Sequence, residues 1–82
     1  MTFAAAMDIT LLAFAQAKDD FGFSSRTVSC SPDDTPRMLV SRIAPAADLA
    51  HLRVAVDCEF ADWDAPIGNA REIALIPPVS GG

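Results

Sequence analysis

Two hydrophobic spacings alternate along this chain, one of period two and one of helical period. From Asp8 to Ala15 the residues fall by twos, with Ile9, Leu11 and Ala13 on one face of a strand and Thr10, Leu12 and Phe14 on the other. Both faces are largely apolar. An apolar face with no partner in its own chain marks an interface. Gln16 to Gly22 can hold a short helical turn, ended by Gly22. Ser25 to Cys30 predicts a second strand, with Val28 and Cys30 inward and Thr27 and Ser29 outward, pairing with the first as a hairpin. Ser31-Pro32-Asp33-Asp34-Thr35-Pro36 is a dense helix-start signal, with Asp34 or Thr35 as N-cap and Pro36 in the first turn. Carboxylates suit the positive end of a helix dipole, so the Asp33-Asp34 pair reads as capping. The helix runs through Met38, Leu39, Val40, Arg42 and Ile43, with Leu39 and Ile43 facing the sheet, and Ala44-Pro45 ends it.

The second half returns to period two. Ala46 to His51 is a connection with room for another short helical turn. Leu52 to Asp57 alternates, with Val54 and Val56 in and Arg53, Ala55 and Asp57 out. Asp57-Cys58-Glu59 makes a turn into a short return strand, Phe60 to Asp62. Asp62-Trp63-Asp64-Ala65-Pro66 has the outline of a paired-carboxylate site, but no third ligand or base is near, and aspartate before a proline turn is ordinary turn chemistry. Arg71 to Ile76 is the last strand, with Ile73 and Leu75 on one face and Glu72, Ala74 and Ile76 on the other. Pro77-Pro78 stops it, because proline donates no backbone hydrogen bond. The order β, β, α, β, short β, β predicts an α+β domain: a mixed sheet of four to five strands packed on one main helix.

Composition narrows the function. A chain of 82 residues with 51% hydrophobic residues builds one small core and is not disordered. Its net charge is −5 and its six basic residues are scattered, so no patch for nucleic acid is present. Cys30 and Cys58 lie 28 positions apart without metal-ligand spacing; they read as free, buried thiols, and no metal site is expected. His51 has no neighbouring nucleophile to activate and reads as a surface residue. Residues 1–7 lack the positive start and apolar centre of a signal peptide, and no later stretch reaches a membrane span, so a cytoplasmic protein without membrane attachment is expected. Residues 1–7 read as an N-terminal extension, with Met1 and Met7 both available as the start.

The tail carries the chemistry. Ile73-Ala74-Leu75-Ile76 feeds directly into Pro77-Pro78-Val79-Ser80-Gly81-Gly82, and six such residues extend by about 20 Å at roughly 3.3 Å each. Termini are also commonly small and polar with no role at all. This hexapeptide, together with Leu12-Ala13-Phe14-Ala15-Gln16-Ala17-Lys18, Val54-Ala55-Val56-Asp57 and Ala61-Asp62-Trp63-Asp64-Ala65-Pro66, resembles the MoaD family of ubiquitin-like sulfur carriers, the small subunits of molybdopterin synthase. The likeness covers roughly residues 8–82. Two turns depart from the family pattern: Asp57-Cys58-Glu59 stands in place of an Asn-Gly type, and Gly68-Asn69-Ala70-Arg71-Glu72 in place of Asp-Gly-Asp-Glu.

The resemblance implies a β-grasp, ubiquitin-like domain over 8–76 and a flexible tail over 77–82, with the first and last strands side by side at the sheet centre. It implies that Gly82, with Gly81 before it, is adenylated by a MoeB-type activating enzyme using ATP. A thiocarboxylate then forms and gives its sulfur to cyclic pyranopterin monophosphate in a MoaE-type large subunit, within a heterotetramer. The chain itself would bind no cofactor and supply no catalytic base, so it is an enzyme only as the sulfur-donating subunit. Leu12, Phe14, Lys18, Ala74, Ile76, Pro77, Pro78, Val79 and Ser80 are the expected partner-binding residues. Lys18 would otherwise be a solvated lysine, and Ser80 either hydrogen-bonds in the partner's channel or is simply small. A carrier for thiazole synthesis or tRNA thiolation, or a ubiquitin-like modifier joined to target lysines, would carry the same ending.

Overall fold

The computed structural model of the protein describes residues 7–78. Strands β1 (Met7–Ala13), β2 (Ser25–Cys30), β3 (Arg53–Val56), β4 (Glu59–Ala61) and β5 (Glu72–Ile76) form one five-stranded sheet in the order β2-β1-β5-β3-β4. Helices α1 (Gln16–Phe21) and α2 (Pro36–Ile43) interrupt the strands. β1 and β5 are parallel neighbours, and every other pairing is antiparallel. This is the β-grasp arrangement, with the first and last strands side by side inside the sheet. A chain-distant pair thus occupies the centre, and the two hairpins flank it.

Period two decides which side chains are covered. Ile9, Leu11 and Ala13 of β1, Ile73 and Leu75 of β5 and Val54 of β3 meet Leu39 and Val40 of α2 in a single core. Leu11, Val40, Ile73 and Leu75 have no exposed surface at all. Ile67 and Ala70, from the segment before β5, close the same cluster, and Trp63 packs on it while its indole N–H donates to the Leu52 carbonyl at 3.1 Å. One Nε1–H would otherwise be left unpaired against the core.

Several local expectations change. β1 stops at Ala13 because Ala15 takes φ 50° and ψ −124°, and the Ala17 N–H donates to the Phe14 carbonyl at 3.0 Å, which closes a tight turn. α1 then ends on Gly22 at φ 80°, the left-handed value that glycine accepts without strain. Thr35 alone caps α2, its hydroxyl accepting from the Met38 N–H at 3.2 Å. Asp34 is not a cap. Its carboxylate is buried and receives Arg42 through both guanidinium nitrogens at 2.9 Å and the Ser31 N–H at 2.9 Å. No helix forms at 46–51, where Asp48 accepts from the Ala50 N–H at 2.9 Å in a side-chain turn that competes with helix. Asp64 pairs with Arg37 at 2.7 Å, tying the 62–66 turn to α2. Ala55 is buried although it lies on the outward face, because a methyl group between Ala74 and Phe60 is covered by its neighbours.

Candidate functional site

Among the described residues nothing is layered over the side of the sheet away from α2. Pairing across the strands sets its rows: Leu12 lies opposite Ala74, Ala74 opposite Ala55, and Ala55 opposite Phe60. The next row towards the end of β5 holds Ile76 opposite Arg53, with Phe14 beyond the end of β1, where its N–H reaches the Leu75 carbonyl at 3.4 Å. Phe60 is 68% exposed and Phe14 51%, far above what a core aromatic shows. Large aromatics held in water on a single face are the signature of a contact surface.

Of the residues singled out in the sequence, the structure brings Leu12, Phe14, Ala74 and Ile76 onto this one face. Pro77 follows Ile76 directly, half-buried, and Pro78 is exposed. The two prolines border a cleft of about 750 Å³ shared with Gln16, Phe21, His51 and Leu52. Lys18 sits exposed on α1, beside this region but not in the sheet. Val79, Ser80, Gly81 and Gly82 lie outside the described residues. His51 is exposed, as read from the sequence.

Two members of the face were not singled out beforehand, Phe60 and Arg53. The signal was present: a two-residue turn at Asp57-Cys58 pairs Val56 with Glu59 and therefore Ala55 with Phe60, which puts Phe60 on the outward side. Both turn residues have positive φ, 49° at Asp57 and 70° at Cys58, the geometry of a primed hairpin turn. Asp57 stabilises it by accepting from the Arg71 and Glu72 N–H groups at 2.8 and 3.1 Å. Arg53 carries its guanidinium 5.4 Å from the centre of the Phe60 ring.

Chemical groups on this surface are few. Cys30 is buried while Cys58 is exposed, which corrects the expectation that both thiols are buried. Cys58 reaches Glu72 at 3.4 Å, and that carboxylate pushes its pKa up by hydrogen bond and by charge, which holds the thiol protonated. Among the described residues no group of three His, Cys, Asp or Glu side chains is placed to hold a metal ion, and no helix is long and apolar enough to cross a membrane. The described surface offers binding. Its exposed thiol, Cys58, is held by Glu72 in the protonated, weakly nucleophilic form.

Comparison with known proteins agrees with the topology. The crystal structure of SAMP1 from Haloferax volcanii is similar at 24% identity, covering 93% of this chain and 100% of that one, with a TM-score of 0.70. A provisionally named molybdopterin converting factor subunit 1 from Pyrococcus furiosus matches at 18% identity over 88% of this chain and 98% of its own, with a TM-score of 0.70. The Haloferax volcanii HVO 2177 protein matches at 20% identity over 94% and 88%, with a TM-score of 0.73. Identities this low carry the fold alone. The sequence itself matches the ThiS family over residues 12–82, from the end of β1 through the terminal glycines, and on that match the chain belongs to the ThiS family of ubiquitin-like sulfur carriers.

Proposed function

We propose that this chain is the sulfur-carrier subunit of a molybdopterin synthase. The observation that carries the reading is continuity: Ala74 and Ile76 of the uncovered apolar face belong to the strand that runs straight into Pro77-Pro78-Val79-Ser80-Gly81-Gly82. Docking of the face would therefore aim the tail. A MoaE-type large subunit would cover Leu12, Phe14, Ala74 and Ile76, with Lys18 at the edge, and Pro77 to Ser80 would thread its channel. Pro77 and Pro78 restrict φ and so reduce the entropy lost on insertion.

A carboxylate is a poor electrophile, since charge and resonance oppose attack. In this reading a MoeB-type enzyme first joins the Gly82 carboxylate to AMP from ATP, releasing pyrophosphate. Attack by hydrosulfide on that acyl adenylate forms the carbon–sulfur bond, breaks the bond to AMP, and leaves a thiocarboxylate. Its sulfur is anionic at neutral pH and nucleophilic in the manner of a thiolate, and it is the atom passed to cyclic pyranopterin monophosphate. Glycine at 81 and 82 presents no Cβ to a narrow channel. The bases and phosphate-binding groups of the synthase would come from the large subunit.

The second reading is conjugation to lysine amines, and the modifier names of similar structures give it weight. Both readings share the acyl adenylate and differ in what captures it. Intact mass after co-expression with the activating enzyme separates them. The carrier reading expects a gain equal to sulfur replacing oxygen, confined to the peptide after Arg71. A Gly82→Val chain that still accepts sulfur at the wild-type rate defeats the steric requirement for glycine at the terminus, and a wild-type terminus left without sulfur defeats the carrier reading itself. Protein adducts branched at lysine, with no thiocarboxylate, transfer the case to the modifier.

A further inference from the structure

We propose that Arg53 is a charged anchor of the docking face and that the partner covering this face presents a carboxylate to it. The inference rests on the reading that the face docks on a synthase large subunit. Arg53 stands opposite Ile76, the last residue of β5 before Pro77, so its position is the root of the tail. Phe14, Ile76, Ala55 and Phe60 stand in its row and the next, and Asp62, which shares its cleft, does not come within ion-pair distance. A lone cation there is out of keeping with its surroundings.

Two of the other arginines are paired, and the two that are not paired among the described residues, Arg26 opposite Leu11 and Arg71 two residues before Ile73, fall by alternation on the helix side of the sheet. Arg37 is paired with Asp64 at 2.7 Å, and Arg42 with Asp34 at 2.9 Å. Arg53 has no carboxylate within ion-pair distance among the described residues. Its guanidinium instead lies 5.4 Å from the Phe60 ring centre, although the chain has eleven acidic side chains and a net charge of −5. Cation–π stacking holds the planar group in place while leaving its hydrogen-bond donors unused.

Docking removes water from that group. A buried cation without a counter-charge opposes association strongly, so an apolar partner surface alone would be expelled rather than held. A protein surface can satisfy a guanidinium fork with a carboxylate, which accepts two parallel N–H bonds in fixed geometry. Because Phe60 already orders the side chain, little rotamer freedom is lost when that pair forms. A bidentate pair at the root of the tail fixes the rotation of the carrier on its partner. The direction in which Pro77 and Pro78 leave is then fixed too.

The test is a titration of the full chain against the large subunit from the same source, at low and high salt. Arg53→Leu is expected to weaken binding by about thirty-fold or more and to flatten its salt dependence, and Arg53→Lys to fall between, since truncating one partner of a desolvated charge pair typically costs that much. Arg53→Glu should abolish binding, and reversing one Asp or Glu of the large subunit to Arg should restore it. Because Arg53 is exposed in the free chain, urea midpoints of the variants confirm that they remain folded. Arg53→Leu binding as tightly as wild type, or no charge reversal rescuing Arg53→Glu, overturns the inference while the proposed function stands. Failure of the wild-type chain to bind the large subunit at all overturns both.

Discussion

Replacing Asp34 by alanine removes the polar joint that fastens the start of α2 to the loop beneath it. The Asp34 residue is only 7% exposed, and its carboxylate accepts three hydrogen bonds at 2.9 Å, two from Arg42 and one from the Ser31 N–H. Its backbone is committed as well, the N–H to the Ser31 carbonyl at 3.0 Å and the carbonyl to the Ile67 N–H at 2.9 Å. Arg42 is half-exposed and regains water when the carboxylate is lost, so its part is worth about 1 kcal/mol, the upper end for an exposed pair. The half-buried Ser31 N–H has no such recourse, and an orphaned donor costs about 1–3 kcal/mol. A loss of about 2–3 kcal/mol is therefore expected, out of a total of roughly 4–12 kcal/mol for a domain of this length. With a urea slope of about 1 kcal/mol/M, the midpoint falls by about 2–3 M. The effect also depends on pH. Hydrogen bonding to Arg42 holds the Asp34 carboxyl below the ordinary aspartate range. Its contribution is complete above the unfolded value of about 3.9 and is lost as pH falls through the lower folded value. Urea titrations of wild type and Asp34→Ala at pH 7 and in a series below pH 4 should show the gap closing in acid. A gap under about 0.5 kcal/mol at pH 7, or one that persists undiminished in acid, contradicts the assignment.

Other outcomes follow from single residues. Cys58→Gly relieves a non-glycine residue at φ 70° in a primed turn and should raise the urea midpoint by about 0.5–1 M, provided the strain of about 1–2 kcal/mol exceeds the entropy glycine costs; a lower midpoint would show that Cys58 sits there without strain. The two thiols should separate in Ellman's titration, Cys58 reacting in the native protein and buried Cys30 only on unfolding. Since Glu72 raises the Cys58 pKa, Glu72→Gln should speed the native reaction near pH 8, and an unchanged rate would remove that carboxylate from the account. Leu11→Ala should cost about 2–5 kcal/mol by opening a cavity, whereas Leu12→Asp, one residue away on the uncovered face, should leave the fold intact and abolish large-subunit binding in a pull-down. Equal losses of stability in the two would mean the outer face is not free.

Much of this fold was legible because its two central strands obey period two. β1 and β5 alternate cleanly, and their inward residues are the core. Where prediction slipped, the cause was a contact the local pattern cannot encode. Asp34 sits in a composition that says helix cap, but its partner Arg42 lies eight residues on, and only the rotation of α2 brings them together. Ala15 gives no sign of positive φ, a conformation that glycine would have announced. Ala55 is covered by what stands on either side of it, so its burial belongs to the register and not to its own hydrophobicity.

The same register explains why the candidate site was only half visible. Leu12, Phe14, Ala74 and Ile76 follow from alternation within two strands and the expectation that those strands are adjacent. Phe60 and Arg53 require one further inference, the count of residues in the Asp57-Cys58 turn, because adding a single residue there would send Phe60 to the opposite face. That dependence has a physical consequence. Asp57 holds the hairpin by accepting the Arg71 and Glu72 N–H groups at the start of β5, the strand that leads to the tail. The turn that sets the position of Phe60, and through it the guanidinium of Arg53, is therefore pinned to the strand whose far end releases Pro77. Phe60, Arg53 and the strand that leads into Pro77 are thus tied together by hydrogen bonds, so a partner that paired with Arg53 as proposed would meet Pro77 and Pro78 at a defined place.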